Sequence, residues 1–89
     1  MRSRVTKDFR QLLAALPAQV QQQADEAYAL FQHDPHHPSL HFKQITGRTS
    51  YYSARVGLRY RVLGYKDGDD LVWFWIGTHA DYDKFIAHP

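Results

Sequence analysis

The segment Arg55-Val56-Gly57-Leu58-Arg59-Tyr60-Arg61 brings three arginines into seven residues. A guanidinium stays charged and offers a planar fork of donors that matches phosphate oxygens. Carried on adjacent strands, two or three such forks could converge on one phosphate. Solvent-facing strand residues that blunt a sheet edge would show the same pattern. Arg61 stands beside strongly apolar neighbours, which favours a half-buried side chain with a task. Further on, the most apolar stretch of the chain, Val72 to Ile76, stops abruptly at Gly77-Thr78-His79, with Asp81, Tyr82 and Asp83 just behind. The end of a central strand is a common mount for reactive side chains. There His79 could exchange a proton, and Tyr82 could stack on a base or position a proton. The alternative has His79 capping the following turn and Tyr82 packing back onto the core.

These groups sit within or beside a long acid-free window. From Pro35 to Lys66 there is no Asp or Glu, while Lys43, Arg48, Arg55, Arg59, Arg61 and Lys66 fall inside it, with Tyr51, Tyr52, Tyr60 and Tyr65 interleaved. Positive charge mixed with aromatic faces suits a polyanion that carries stackable bases. Lys43, Arg48, Arg59 and Tyr52 therefore join the candidate substrate-binding residues. A solvated basic face on a small sheet would have the same composition, and a net charge of +2 does not separate the two. His33, His36, His37 and His41 invite a zinc reading, but their spacing fits no closed tetrahedral set. No metal and no cofactor are expected. Glycine-rich phosphate loop, HExxH and nucleophile elbow are all missing, and Ser39, Ser50 and Ser53 lack the flanking residues of a serine triad.

Eighty-nine residues are enough for one small domain, residues 1–89, whose core should be marginal without help from a partner. Aromatic residues make up 15% and supply large buried areas. With no cysteine, a disulfide framework and a thiolate metal site are both excluded. The N-terminus has no apolar run of signal-peptide length, and no stretch approaches the ~20 apolar residues of a membrane span. The expected location is the cytoplasm, away from membranes.

The elements that must position the site follow from periodicity. Thr6 or Ser3 can cap a first helix whose stripe is Phe9, Leu12, Leu13 and Leu16. Pro17 starts a second helix, with Val20, Ala24, Ala27 and Phe31 on one face, and Asp34-Pro35 ends it. Strands follow at Leu40–Ile45, Tyr51–Val56, Tyr60–Tyr65 and Leu71–Ile76. Gly47-Arg48-Thr49 reads as a turn, and Asp67-Gly68 is a hairpin signal. The continuous apolar run at 71–76 predicts a central strand buried on both faces. Residues 81–87 suit a short closing helix, while residues 1–5 carry only a poor strand pattern. The expected fold class is α+β: two N-terminal antiparallel helices packed on a twisted, mainly antiparallel four-stranded sheet, with a short C-terminal helix.

Phe9-x2-Leu12-x3-Leu16-Pro17, Asp34-Pro35, Leu40-x2-Lys43, Gly47, Tyr52-x2-Arg55-Val56-Gly57, Tyr60-Arg61-Val62 and Ile76-Gly77-x-His79 together resemble the RelE/ParE toxin superfamily, from about Thr6 to Phe85. The resemblance implies the same fold and a toxin neutralised by a cognate antitoxin. RelE-like members cut mRNA in the ribosomal A site without metal, driving the 2′-hydroxyl onto the adjacent phosphate. ParE-like members inhibit DNA gyrase. By that resemblance Arg61 matches the arginine that contacts the scissile phosphate, and Arg55 a second basic position on the preceding strand. His79 falls where RNase members place an arginine or histidine, as general acid or electrostatic stabiliser. Tyr82 or Phe85 takes the place of a C-terminal aromatic that stacks on a base, at a different spacing. Tyr51 and Ser53 stand where RelE has lysines, and no glutamate lies nearby, so Lys43 or a water would have to help as base. The expected function is a ribosome-dependent endoribonuclease toxin. The alternatives are a gyrase inhibitor of ParE type and an inactive member that only binds its antitoxin.

Overall fold

A computed structural model describes residues 2–87, with Arg48 and Thr49 described by their backbone alone. The order is β1 (Arg2–Val5), α1 (Lys7–Ala14), α2 (Ala18–His33), a 3-10 turn (Pro38–Leu40), β2 (Lys43–Ile45), β3 (Arg48–Val56), β4 (Tyr60–Asp67), β5 (Asp70–Thr78) and α3 (His79–Ala87). Local chemistry sets the helix ends. Thr6 Oγ1 accepts the backbone N–H of Phe9 at 3.1 Å, satisfying one of the unpaired donors of the first turn of α1. Pro17 precedes α2, and the helix stops at Asp34, whose conformation is restricted by Pro35.

The sheet has five strands in the order β1-β5-β4-β3-β2, one more than the periodicity predicts. The extra strand is β1, paired in parallel with β5 from Arg2↔Asp70 to Val5↔Trp73. It has four residues, two of them exposed arginines, so it carries almost no alternation to read. Backbone pairing to β5, continued by the Thr6 N–H donating to the Trp73 carbonyl at 3.0 Å, holds it, and its exposed arginines add ion pairs. Arg4 reaches Asp67 Oδ2 at 2.8 Å and Asp70 Oδ2 at 3.2 Å, and Arg2 Nε lies 3.2 Å from Asp70 Oδ1 at an angle too poor for a hydrogen bond. The other strand pairs are antiparallel. The strand expected over Leu40–Ile45 is shorter, because Leu40 closes the 3-10 turn and His41 adopts a left-handed φ of 46°. Arg48 and Thr49, expected in a turn, open β3. The Asp-Gly signal does mark the β4–β5 hairpin, with Gly68 at φ +61°.

Each sheet face has its own core. On one face α1 and α2 cover Ala54, Val56, Val62, Leu71, Trp73 and Ile76, with Phe31 at the centre. Phe31 meets Phe42 and Trp73 edge-on, at 5.0 and 5.4 Å between centroids. On the other face α3 folds back, and Ile45, Leu63 and Tyr82 bury together with Phe74, Trp75 and Phe85 alongside. Covering both faces explains why β5 reads as one apolar run. A bulge opposite Leu63/Gly64 pairs Leu63 with Trp75 and Gly64 with Trp73. Phe74 is the extra residue, so Trp73 and Ile76 face the N-terminal helices while Trp75 faces α3. Gly64 is required here: a Cβ would stand 2.8 Å from the Trp73 ring.

Candidate functional site

The register lines up the charged residues. Arg55 pairs with Arg61 across β3–β4, and Arg61 pairs with Gly77 across β4–β5. Ala54, Val56 and Val62 belong to the core under α1 and α2. Strand alternation therefore projects Arg55 and Arg61 onto the opposite face, the one α3 covers. Ser53 and Leu63 share that face. Trp75 does too, and its ring lies over Gly77, where a Cβ would come within 2.3 Å of it. Gly77 thus lets the indole lie along the strand beside the Arg61 position.

The end of β5 is turned into the start of α3 without a loop. Thr78 Oγ1 accepts the Asp81 N–H at 3.2 Å, capping the helix. His79 is the first residue of α3, and its N–H donates to the Arg59 carbonyl at 2.8 Å, pinning it to the β3–β4 hairpin. The cap expected of His79 is therefore supplied by Thr78. The imidazole Nδ1 stands 3.0 Å from Asp83 Oδ2, one turn along the helix, and the His79 side chain is 48% exposed. Tyr82 neighbours both candidates: the Arg61 guanidinium is 5.8 Å from its ring centroid and the His79 ring 6.1 Å. Tyr82 itself is 8% exposed, and its hydroxyl donates to Ser53 Oγ at 3.1 Å in the buried core. With its ring buried and its hydroxyl committed, Tyr82 forms the floor of the site. A base would meet little of its face.

Other expected site residues are placed differently. The Arg55 guanidinium turns along the sheet margin, with Nε donating to the Gly57 carbonyl at 3.2 Å and Nη1 3.0 Å from His41 Nε2. Alternation starts Arg55 on the face of Arg61, but its side chain turns round the open margin and lines a cleft with Gln23, Glu26 and Leu30 of α2, so the structure does not bring the two guanidinium groups together. Lys43 is exposed and pairs with Ser53, which puts it on the α3 face one row from the arginines. Arg59 is exposed at the tip of the β3–β4 hairpin, tied to the site through its carbonyl. Tyr52 is on the far face, stacked on Phe42 at 5.4 Å and 18°, and the structure does not bring it to Arg61. The Arg48 side chain lies outside the described residues. The loop histidines disperse: His37 Nδ1 meets Ser39, His41 meets Arg55, and His36 lies against Phe42. Among the described residues no three His, Asp or Glu side chains converge to hold a metal.

Three residues of this region escape a reading by motif. Ser53 is one of a strand's many small residues until Tyr82 lands on it. Trp75 could have been suspected from Trp-x-Gly, since a strand aromatic often covers a glycine two residues on. Asp83 could have been found from the i, i+4 spacing to His79.

The fold is a five-stranded sheet with α1 and α2 on one face and α3 on the other, and comparisons with known proteins place it. Residues 18–84 match the ParE-like toxin domain family. The chain belongs to that family, within the RelE/ParE toxin superfamily. No curated protein sequence matches the chain. Solved structures do. The RelB–RelE antitoxin–toxin complex of Methanococcus jannaschii contains a chain with TM-score 0.72 and 21% identity, covering 96% of this chain and 98% of that one. YafQ from Escherichia coli gives 0.69 and 14%, over 92% and 98%. The RelBE2 toxin–antitoxin complex of Mycobacterium tuberculosis gives 0.68 and 23%, over 88% and 96%. At these identities the likeness is one of fold. Among the described residues no helix is long and apolar enough to cross a membrane.

Proposed function

We propose that this protein is the toxin of a type II toxin–antitoxin pair and acts as a metal-independent, ribosome-dependent mRNA endoribonuclease in the cytoplasm. The observation that carries this reading is the placement of Arg61 and His79 about one buried ring, 5.8 and 6.1 Å from Tyr82. Arg61 holds the scissile phosphate and offsets the extra negative charge of the transition state. The 2′-oxygen bonds to phosphorus and the bond from phosphorus to the 5′-oxygen breaks. The 2′-hydroxyl proton passes to water, and His79 Nε2 delivers a proton to the departing 5′-oxygen. Lys43 and Arg59 guide the flanking phosphates. Arg55, engaged at the sheet margin by Gly57 and His41, contributes positive charge from a distance, and Tyr82 seats both reacting side chains. The ribosome supplies the substrate conformation that a shallow, exposed site does not impose by itself. A cognate antitoxin masks the protein until release, as the antitoxin-bound neighbours suggest.

The test is induced expression followed by primer extension on cellular mRNA, comparing wild type with Arg61→Ala. Defined cuts that vanish in the variant support the reading. Identical patterns, or none, end it. The match to ParE-like domains favours a second reading, a non-enzymatic inhibitor of DNA gyrase. It gives DNA-damage signalling and no mRNA cuts in the same experiment.

A further inference from the structure

The acids after β5 divide by position. Asp81 is the third residue of α3, where its charge complements the helix dipole. Asp83 is the fifth, beyond the turn where that effect is strong, so it needs another reason to be acidic. Geometry gives one. Residues two apart on a helix do not face each other, whereas residues four apart do. Of the two acids only Asp83 reaches the imidazole, with Oδ2 3.0 Å from Nδ1, an ion-pair distance at which the angle still falls short of a hydrogen bond. Both side chains are largely in water, at 48% and 61% exposure. Such pairs contribute little to stability, which makes a purely structural role a poor explanation.

We propose that Asp83 is the positioning residue of His79: a small turn of the exposed ring closes the 3.0 Å contact into a hydrogen bond in which Asp83 accepts the Nδ1–H, fixes that tautomer and leaves Nε2 free for substrate. The purpose of this contact rests on the nuclease reading above; the contact itself does not. The His79 backbone is pinned by its bond to the Arg59 carbonyl, and its half-exposed ring lies 6.1 Å from that of Tyr82. Without Asp83 the ring is free to turn about its side-chain torsions. With Asp83 the proton bookkeeping is simple. The imidazolium carries Nδ1–H, bonded to the carboxylate, and Nε2–H, free. Nε2–H goes to the 5′-oxygen as the 2′-oxygen displaces it from phosphorus. The neutral ring left behind is the Nδ1–H tautomer, still bonded to Asp83, and needs neither rotation nor tautomer exchange. Hydrogen bonds to the second imidazole nitrogen fix histidine roles in the same way at other sites.

The experiment uses the full chain with 15N-labelled histidine. His79 is assigned by the resonances lost in His79→Gln, and its neutral tautomer is read from the two ring nitrogens by NMR. Wild type and Asp83→Glu should show Nδ1–H, and Asp83→Ala should revert to Nε2–H, the form free histidine favours. In the cleavage assay Asp83→Ala should lose about tenfold or more, Asp83→Glu should recover most of it, and Asp83→Ala should add nothing to His79→Ala. A wild-type Nε2–H tautomer overturns the proposal. So does cleavage unchanged in Asp83→Ala, or an equal loss when His79 is already gone. If wild type cuts no RNA at all, the nuclease reading falls, while the tautomer measurement still decides whether Asp83 holds the ring.

Discussion

Removing one hydroxyl at the floor of the site gives a sharp energetic prediction. Tyr82→Phe keeps the ring that lies under Arg61 and beside His79 and deletes only the donor to Ser53 Oγ, 3.1 Å away. Ser53 is 1% exposed, so water does not replace the lost partner. A typical hydrogen bond contributes about 1 kcal/mol net, and a buried group left unpaired costs about 1–3 kcal/mol. Tyr82→Phe should therefore lower stability by about 1–2 kcal/mol, a fall in Tm of roughly 4–8 °C per kcal/mol for a domain of this size. Ser53→Ala should cost about 1 kcal/mol by stranding the Tyr82 hydroxyl. The double variant loses both partners at once, so its cost should fall short of the sum of the single ones by about 1 kcal/mol. Urea unfolding, followed by the fluorescence of Trp73 and Trp75, measures all three. Because the ring stays in place, Tyr82→Phe should also retain most of any RNA cleavage. Additive single effects, or no effect of Tyr82→Phe, would refute the reasoning.

Gly77→Ala should displace the Trp75 ring, which a Cβ would approach to 2.3 Å, and cost about 1–3 kcal/mol by overpacking; the shift of Trp75 fluorescence reports it. Thr78→Ala removes the cap that Asp81 N–H uses and should lower stability by about 1 kcal/mol, with loss of α3 helicity by circular dichroism at the midpoint. Phe31→Ala empties the centre of the helix-side core, where Phe31 is 3% exposed, and should cost about 3–5 kcal/mol in denaturant unfolding. Leu58→Ser, at a hairpin tip 83% exposed, should change stability by less than about 0.5 kcal/mol in the same assay.

Much of this architecture is legible in the chain. The Phe9–Leu16 and Val20–Phe31 stripes give two helices, and their buried members are largely the ones the spacing selects: Phe9, Val20, Ala24 and Phe31. The apolar run of β5 foretells burial on both faces, and α3 provides the second cover. What the sequence hides is direction. Tyr51 and Tyr52 are adjacent, so one must leave the α3 face, and nothing in their identity says which. The bulge at Phe74 reverses the parity of everything after it on β5, and a bulge of this kind has no signature in an aromatic run. Arg55 is diverted for a local reason. β2 pairs with β3 only as far as Ser53, so the margin beside Arg55 is open and its guanidinium wraps toward His41. β1 pairs with β5, a strand more than sixty positions away, a link no local pattern carries.

The central claim is that Arg61 and His79 act on one phosphodiester. Primer extension on mRNA from cells expressing wild type, Arg61→Ala, His79→Ala and Arg55→Ala tests it most directly. The account predicts defined cuts with wild type, their loss in Arg61→Ala and His79→Ala, and a smaller reduction in Arg55→Ala, whose guanidinium is engaged at the sheet margin. Cuts that persist without Arg61 or His79, or a wild type that inhibits growth and leaves mRNA intact, would contradict it.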